Sequence, residues 1–171
     1  MAQVLAGYFD DDADQAVRAL RQRLVQAGIP TLNDRPHLTF AAAGAIPPAA
    51  RKNLAADLAM LAMPNLWLYV LGTFPAGENA LILGAVTDAE LLAVHVAMHD
   101  SLAGRARDPW AHYLPGAWVP HCTLAQDITP SQLAAGFAAA HPIEPIRARI
   151  TEVSIKDTRT GVEETLLSRD S

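Results

Sequence analysis

Apolar positions along the chain switch repeatedly between the two-residue rhythm of strands and the three-to-four-residue rhythm of helices. Residues 3–9 predict a strand. Ala13, Val17, Leu20, Leu24 and Ala27 then recur at helical spacing until Gly28 and Pro30 stop them. A strand over 37–43 precedes a helix opened by Pro47 and Pro48, carried by Leu54, Leu58 and Leu61 and closed by Pro64. Residues 66–74 and 80–86, split by PAGEN, predict a hairpin of two largely buried strands. Thr87 with Glu90 reads as a capping box for the next helix, which Gly104 ends, and 104–118 reads as a loop. A strand at 119–125 follows, and Thr129, Pro130 and Gln132 start a helix running to about Ala140. Near the end, Ile146, Ala148 and Ile150 share one parity while Val153 and Ile155 share the other. That switch predicts a bulge near Thr151 or Glu152 before a last strand at 163–168.

Laid over this pattern is a repeat. Pro36-His37-Leu38-Thr39-Phe40-Ala41 returns as Pro120-His121-Cys122-Thr123-Leu124-Ala125, each copy on a predicted strand followed by proline and a helix. The chain therefore reads as one domain, residues 1–171, made of two related lobes. Side chains alternate along a strand, so His37 and Thr39 face one way while Leu38 and Phe40 face the other, and His121 and Thr123 do the same in the second copy. Two imidazoles on one polar face supply a general base and a general acid, because their ordinary pKa lies near 6.5. Two threonine hydroxyls add uncharged donors for the oxygens of a phosphoryl group as charge builds on them. Such a site suits phosphodiester chemistry without a metal.

Two PHxT[FL]A motifs at this separation, with the terminal segment VSIKDTRTG, resemble the two-histidine (2H) phosphoesterase superfamily, specifically its 2′-5′ RNA ligase-like branch. The resemblance implies an α+β fold that is bilobal, with two pseudo-symmetric antiparallel sheets flanked by helices around a central groove. It implies hydrolysis of 2′,3′-cyclic phosphates on RNA 3′ ends or small nucleotides to 2′-phosphates. His37 and His121 would then be the catalytic pair and Thr39 and Thr123 the phosphate-binding residues, with no cofactor. Some relatives also carry out reversible 2′-5′ RNA ligation. Which histidine is the base stays open, with His121 as base and His37 as acid the working assignment. Glu163 and Glu164 stand where the branch often has an aromatic residue.

Composition narrows the remaining choices. A single cysteine, Cys122, excludes an internal disulfide, and its strand parity points it away from the histidines. No apolar run reaches 18 residues and the N-terminal region is acidic, so a cytoplasmic protein away from membranes is expected. A net charge of −5 argues against non-specific nucleic-acid binding as the main activity. It still allows Arg35, Arg105, Arg107, Arg147, Arg149 and Lys156, all outside the predicted helices, to gather around one small anion. Arg147 and Arg149 share a strand face and are candidates for steering a phosphate, while Trp110, Tyr113 and Trp118 are candidates for stacking on a base. His95 and His99 have helical i, i+4 spacing, but Val96 stands where a zinc protease needs glutamate, and no metal site is expected. Asp10, Asp12 and Asp14 imitate the start of a calcium loop that Gln15 and Arg21 then break. The chain is expected to act as a monomer without an obligatory protein partner. A silent site that only recognises a nucleotide or an RNA end is the rival to catalysis.

Overall fold

The computed structural model describes residues 2–169. Strand β1 (Gln3–Phe9) leads into α1 (Asp11–Gln26), β2 (His37–Ala45), α2 (Pro48–Met60), β3 (Asn65–Gly72), β4 (Leu81–Ala85) and α3 (Ala89–Leu102). Then come β5 (Arg107–Pro109), a 3₁₀ turn at Ala111–Tyr113, β6 (His121–Ala125), α4 (Pro130–Ala140), β7 (Ile146–Asp157) and β8 (Glu163–Ser168). All strand pairs are antiparallel and run in the order β5-β2-β1-β7-β3-β4-β6, with β8 also on β7.

The two expected sheets are the two ends of this one path, and β7 belongs to both. Its first residues, Ile146–Arg149, pair with β3, whereas Ile150–Asp157 pair with β1. Phe9 pairs with Ile150 but Tyr8 pairs with Glu152, so Thr151 is the extra residue of the expected bulge. One lobe contains β5, β2, β1, β8 and the second half of β7. The other contains the first half of β7 with β3, β4 and β6.

Helices cover one face of each lobe. In the β3-β4-β6 lobe, α1 and α4 lie on the face carrying Leu66, Leu68, Leu81, Leu83, Cys122 and Leu124, all buried. In the β1-β2 lobe, α3 packs against β2, while α2 packs against α3 and β8. Gly7 shows how tight the packing is: a Cβ there would sit 2.6 Å from Phe40 Cε2. Burial also locks the motif strands in register. Sliding β2 by one residue would expose Leu38 and Phe40, each worth roughly 1.5–3 kcal/mol of burial, and turn His37 into the core.

Three details differ from the sequence reading. Asp88, not Thr87, caps α3 by accepting from the Leu91 N–H, because helical geometry begins at Ala89. The 104–118 segment contains β5, held to β2 at Ala43 and Ala45. β3 is only half buried, since Trp67, Tyr69 and Val70 face away from the core. The capping box of Thr129 and Gln132 on α4 forms as expected. Among the described residues no helix is long and apolar enough to cross a membrane.

Candidate active site

The two His-x-Thr strands occupy matching places in the two lobes. His37 and Thr39 on β2 pair with Tyr8 and Ala6 of β1, and His121 and Thr123 on β6 pair with Gly84 and Ile82 of β4. β2 and β6 lie against each other without sharing a ladder, so both polar faces open on the space between the lobes.

The match extends to the atoms. His37 Nδ1–H donates to the Arg35 carbonyl at 2.9 Å, and His121 Nδ1–H donates to the Val119 carbonyl at 2.7 Å. Each ring is thereby fixed by the carbonyl two residues back, leaving Nε2 as its working nitrogen. Neither Nε2, nor Thr39 Oγ1, nor Thr123 Oγ1 has a protein partner among the described residues. The backbone match is as close: Thr39 pairs with Ala6 and Ala41 with Leu5, while Thr123 pairs with Ile82 and Ala125 with Leu81. Phe40 and Leu124 are therefore the extra residues of equivalent bulges.

Groups outside the ladder take up the carbonyls at these bulges. Leu32 N–H donates to the Leu124 carbonyl at 3.1 Å. The Phe40 carbonyl accepts from His95 Nε2 at 3.1 Å and from His99 Nε2 at 2.9 Å. One residue earlier, the Trp118 indole donates to the Thr39 carbonyl at 3.0 Å, and Arg21 donates to the Thr123 carbonyl at 2.8 Å. Arg21 is buried on α1 and also donates to the Asp34 carbonyl at 2.6 Å. Its guanidinium lies 3.3 Å from Asp34 Oδ1, an ion-pair distance without hydrogen-bond alignment, since that oxygen is otherwise unpartnered.

Electrostatically the two copies diverge. Asp34 Oδ2 lies 3.6 Å from His37 Nδ1, giving a His37 imidazolium a counter-charge. His121 has no carboxylate among its ion-pair partners in the described residues; its ring and that of Phe74 meet in a T, with centres 5.0 Å apart. Burial pushes the His121 pKa below its ordinary value, aided by the charge of His37, and the Val119 carbonyl only partly opposes this. Beside His37, Arg35 lies 4.0 Å over the Tyr8 ring and pairs with Glu152 at 2.9 Å. The Tyr8 hydroxyl donates to Glu163, and burial followed by that carboxylate pushes the phenol pKa up.

The other expected residues fall in different places. Trp118 is not available for base stacking: it is buried, holds the Thr39 carbonyl and stacks on His95 with ring centres 3.9 Å apart. Trp110 is exposed and lies 6.5 Å from a half-buried Tyr113, whose carbonyl accepts from His95. The arginines do not gather around one point. Arg105 donates to the Ser101 carbonyl, Arg35 is paired with Glu152, and Arg147 lies over Trp67. Arg147 and Arg149 do share the open face of β7. His95 is a buried support with its pKa lowered to about 4, chiefly by burial. Among the described residues, no group of three or more metal-ligating side chains exists. Cys122 is fully buried and its thiol is pushed up to about 12 by that burial, which removes it as a nucleophile. The sequence reading missed Asp34, Arg21 and Phe74. The first two precede the motif or lie on a helix, and only the fold brings them to the histidines.

Residues 8–161 match the family model of the 2′-5′ RNA ligase superfamily. The chain belongs to that superfamily. No curated protein sequence matches it. Among solved structures, TT0787 of Thermus thermophilus is similar at 20% identity and TM-score 0.62, over 98% of this chain and 97% of that one. E. coli LigT, solved with ATP, is 17% identical with TM-score 0.59, over 95% and 91%. Kluyveromyces marxianus Usb1, solved with uridine monophosphate, is 10% identical with TM-score 0.55, over 97% of both chains. At these identities the likeness extends to the fold of this 2′-5′ RNA ligase-superfamily chain and no further.

Proposed function

We propose that the protein hydrolyses 2′,3′-cyclic phosphates on RNA 3′ ends or nucleotides to 2′-phosphates, without a metal, with His37 and His121 as the catalytic pair. The observation that carries this reading is the duplicated tautomer lock, in which each Nδ1–H is held by the carbonyl two residues back and each Nε2 has no partner among the described residues. His121, whose pKa burial lowers, takes a proton from water through Nε2 as the water oxygen attacks phosphorus. Protonated His37, with Asp34 as its counter-charge, gives its Nε2 proton to the 3′ oxygen as the P–O3′ bond breaks. The product carries a 2′-phosphate and a free 3′-hydroxyl, so atoms and protons balance. Thr39 and Thr123 donate to the phosphoryl oxygens, whose charge grows on the way to the pentacovalent arrangement.

The neighbours support a nucleotide-sized site, since LigT is solved with 3′-AMP and Usb1 with uridine monophosphate. The test is hydrolysis of a 2′,3′-cyclic nucleotide and of a cyclic-phosphate-ended oligoribonucleotide in EDTA, with the native protein, His37→Ala and His121→Ala. Activity that survives chelation and is lost in both variants is expected. Full activity in His121→Ala overturns the mechanism, and tight binding without turnover replaces it with a recognition site. Ligation by the same site predicts joined product from RNA halves bearing cyclic-phosphate and 5′-hydroxyl ends.

A further inference from the structure

The open face of the β3-β4-β6 lobe carries more than His121 and Thr123. Residues paired across antiparallel strands share a face, so His121, Gly84 and Val70 lie in one row on that side of the sheet. The ladder skips Tyr69, placing it and Val70 together at a bulge, and both are exposed. Three residues back along β3, Trp67 pairs with Arg147 on β7, both turned away from the core. Trp67 is 41% exposed, although a tryptophan next to Leu66 and Leu68 would ordinarily be the first side chain covered. The Arg147 guanidinium lies over its ring, 4.8 Å from the centre. No carboxylate pairs with Arg147 or Arg149 among the described residues.

We infer that Trp67 and Arg147 form a stacking platform for a nucleotide upstream of the cyclic phosphate, so that the preferred substrate is a single-stranded RNA end and not a free cyclic mononucleotide. This rests on the proposed reaction at the two histidines. Two strand spacings and, with Tyr69 the extra residue of its bulge, two ladder steps separate Trp67 from His121, about 12 Å by strand geometry. That is beyond the base of a nucleotide whose phosphate sits between the histidines, and within reach of its 5′ neighbours. An aromatic ring under a guanidinium plane is a surface on which any base can stack, and unpaired arginines on the same face meet the backbone phosphates. Charge fixes the direction. On the β1-β2 side the charges are taken up, Asp34 against Arg21, Glu152 against Arg35 and Glu163 by the Tyr8 hydroxyl, whereas Arg147 and Arg149 on the Trp67 side have no carboxylate ion-pair partner among the described residues and stay available to a polyanion.

The experiment compares uridine 2′,3′-cyclic phosphate with a uridine trinucleotide ending in the same group. Stacking by one base is worth about 1–3 kcal/mol, so the native protein should favour the trinucleotide by roughly 5-fold to 150-fold in kcat/KM. Trp67→Ala should bring that ratio down to about 1–2. Arg147→Gln should lower it less and flatten the salt dependence of trinucleotide binding by about 0.7 in log–log slope, the share of one phosphate contact on a single strand. Binding of a fluorescent trinucleotide ending in a 2′-phosphate, followed by anisotropy, reads the platform without turnover. If the native protein hydrolyses neither substrate, the reaction fails while the platform is still judged by that binding. A native protein with no preference for the longer strand overturns the inference. So do Trp67→Ala and Arg147→Gln proteins that bind the trinucleotide as tightly as the native one.

Discussion

The two motif copies agree in backbone and differ in surroundings. Both bulge at the fifth residue, both lock Nδ1, and both leave a threonine hydroxyl without a partner among the described residues. Around His37, however, are Asp34, Arg35 and the Tyr8 ring, whereas His121 meets the Phe74 ring and has no carboxylate ion-pair partner among the described residues. Duplicated geometry supplies two imidazoles at equivalent positions. Only unequal environments turn them into a donor and an acceptor, because identical rings at one pH would compete for the same role.

Removing either partner is the harshest test. His37→Ala and His121→Ala should each cut kcat/KM at least about 10²-fold, and the double variant little further, as groups acting in one step do. If one single variant keeps most of the activity, the copies are not partners. The native pH profile should be bell-shaped, with its acid limb below the ordinary histidine range because burial depresses His121. An acid limb above pH 6.5 would reverse the assignment of the base.

The two bulges are also held by different groups. The Leu124 carbonyl is held by a backbone amide, but the Phe40 carbonyl is held by His95 and His99. His95 has a folded pKa of about 4 against an ordinary 6.5, so between those values the unfolded chain binds more protons. The stability it confers is complete above about pH 6.5 and is lost as pH falls, by roughly 2 kcal/mol from pH 7 to pH 5. Urea denaturation of the native protein and His95→Gln at both pH values should show this loss in the former and a much smaller one in the latter. Equal losses would remove His95 as the titrating support.

Smaller effects probe the phosphate and the carbonyl pins. Thr39→Val and Thr123→Val should each lower kcat about tenfold with little change in KM, as expected for donors that act on charge developing in the transition state. A tenfold loss in one and none in the other would show that the phosphate leans on a single lobe. Trp118→Phe should destabilise by about 1 kcal/mol in the same denaturation assay, because the Thr39 carbonyl loses its donor while the ring contacts with His95 and Phe40 survive. No change would mean that water replaces the indole.

Much of this was legible in the sequence because it depends on short-range rules. Strand parity placed His37, Thr39, His121 and Thr123 on open faces, and the parity change between Ile150 and Val153 pointed to a bulge near Thr151 or Glu152, which falls at Thr151. Trp118 was misread for a physical reason: in a loop rich in aromatics, nothing local tells a ring that meets solvent from one whose indole finds a carbonyl 79 positions away. Trp67 was hidden by its apolar neighbours, since a run such as LWLYV reads as buried on both faces until the helices are seen to cover only one. Arg21 was invisible within an amphipathic helix because its partners, Asp34 and the Thr123 carbonyl, lie on other elements.

Strand β7 carries one last implication. Because this one strand is woven into both halves, the histidine strands β2 and β6 are linked through it by a continuous path, β2-β1-β7-β3-β4-β6, like two arms on one yoke. Where it passes from one half to the other it carries one supernumerary residue, Thr151. Deleting it would rotate one half of the strand by a full pleat relative to the other, carrying Arg147 and Arg149 into the interior or Val153 and Ile155 out of it. The side of the strand that each half turns to the gap between the lobes is therefore written into the backbone, before any side chain meets a ligand.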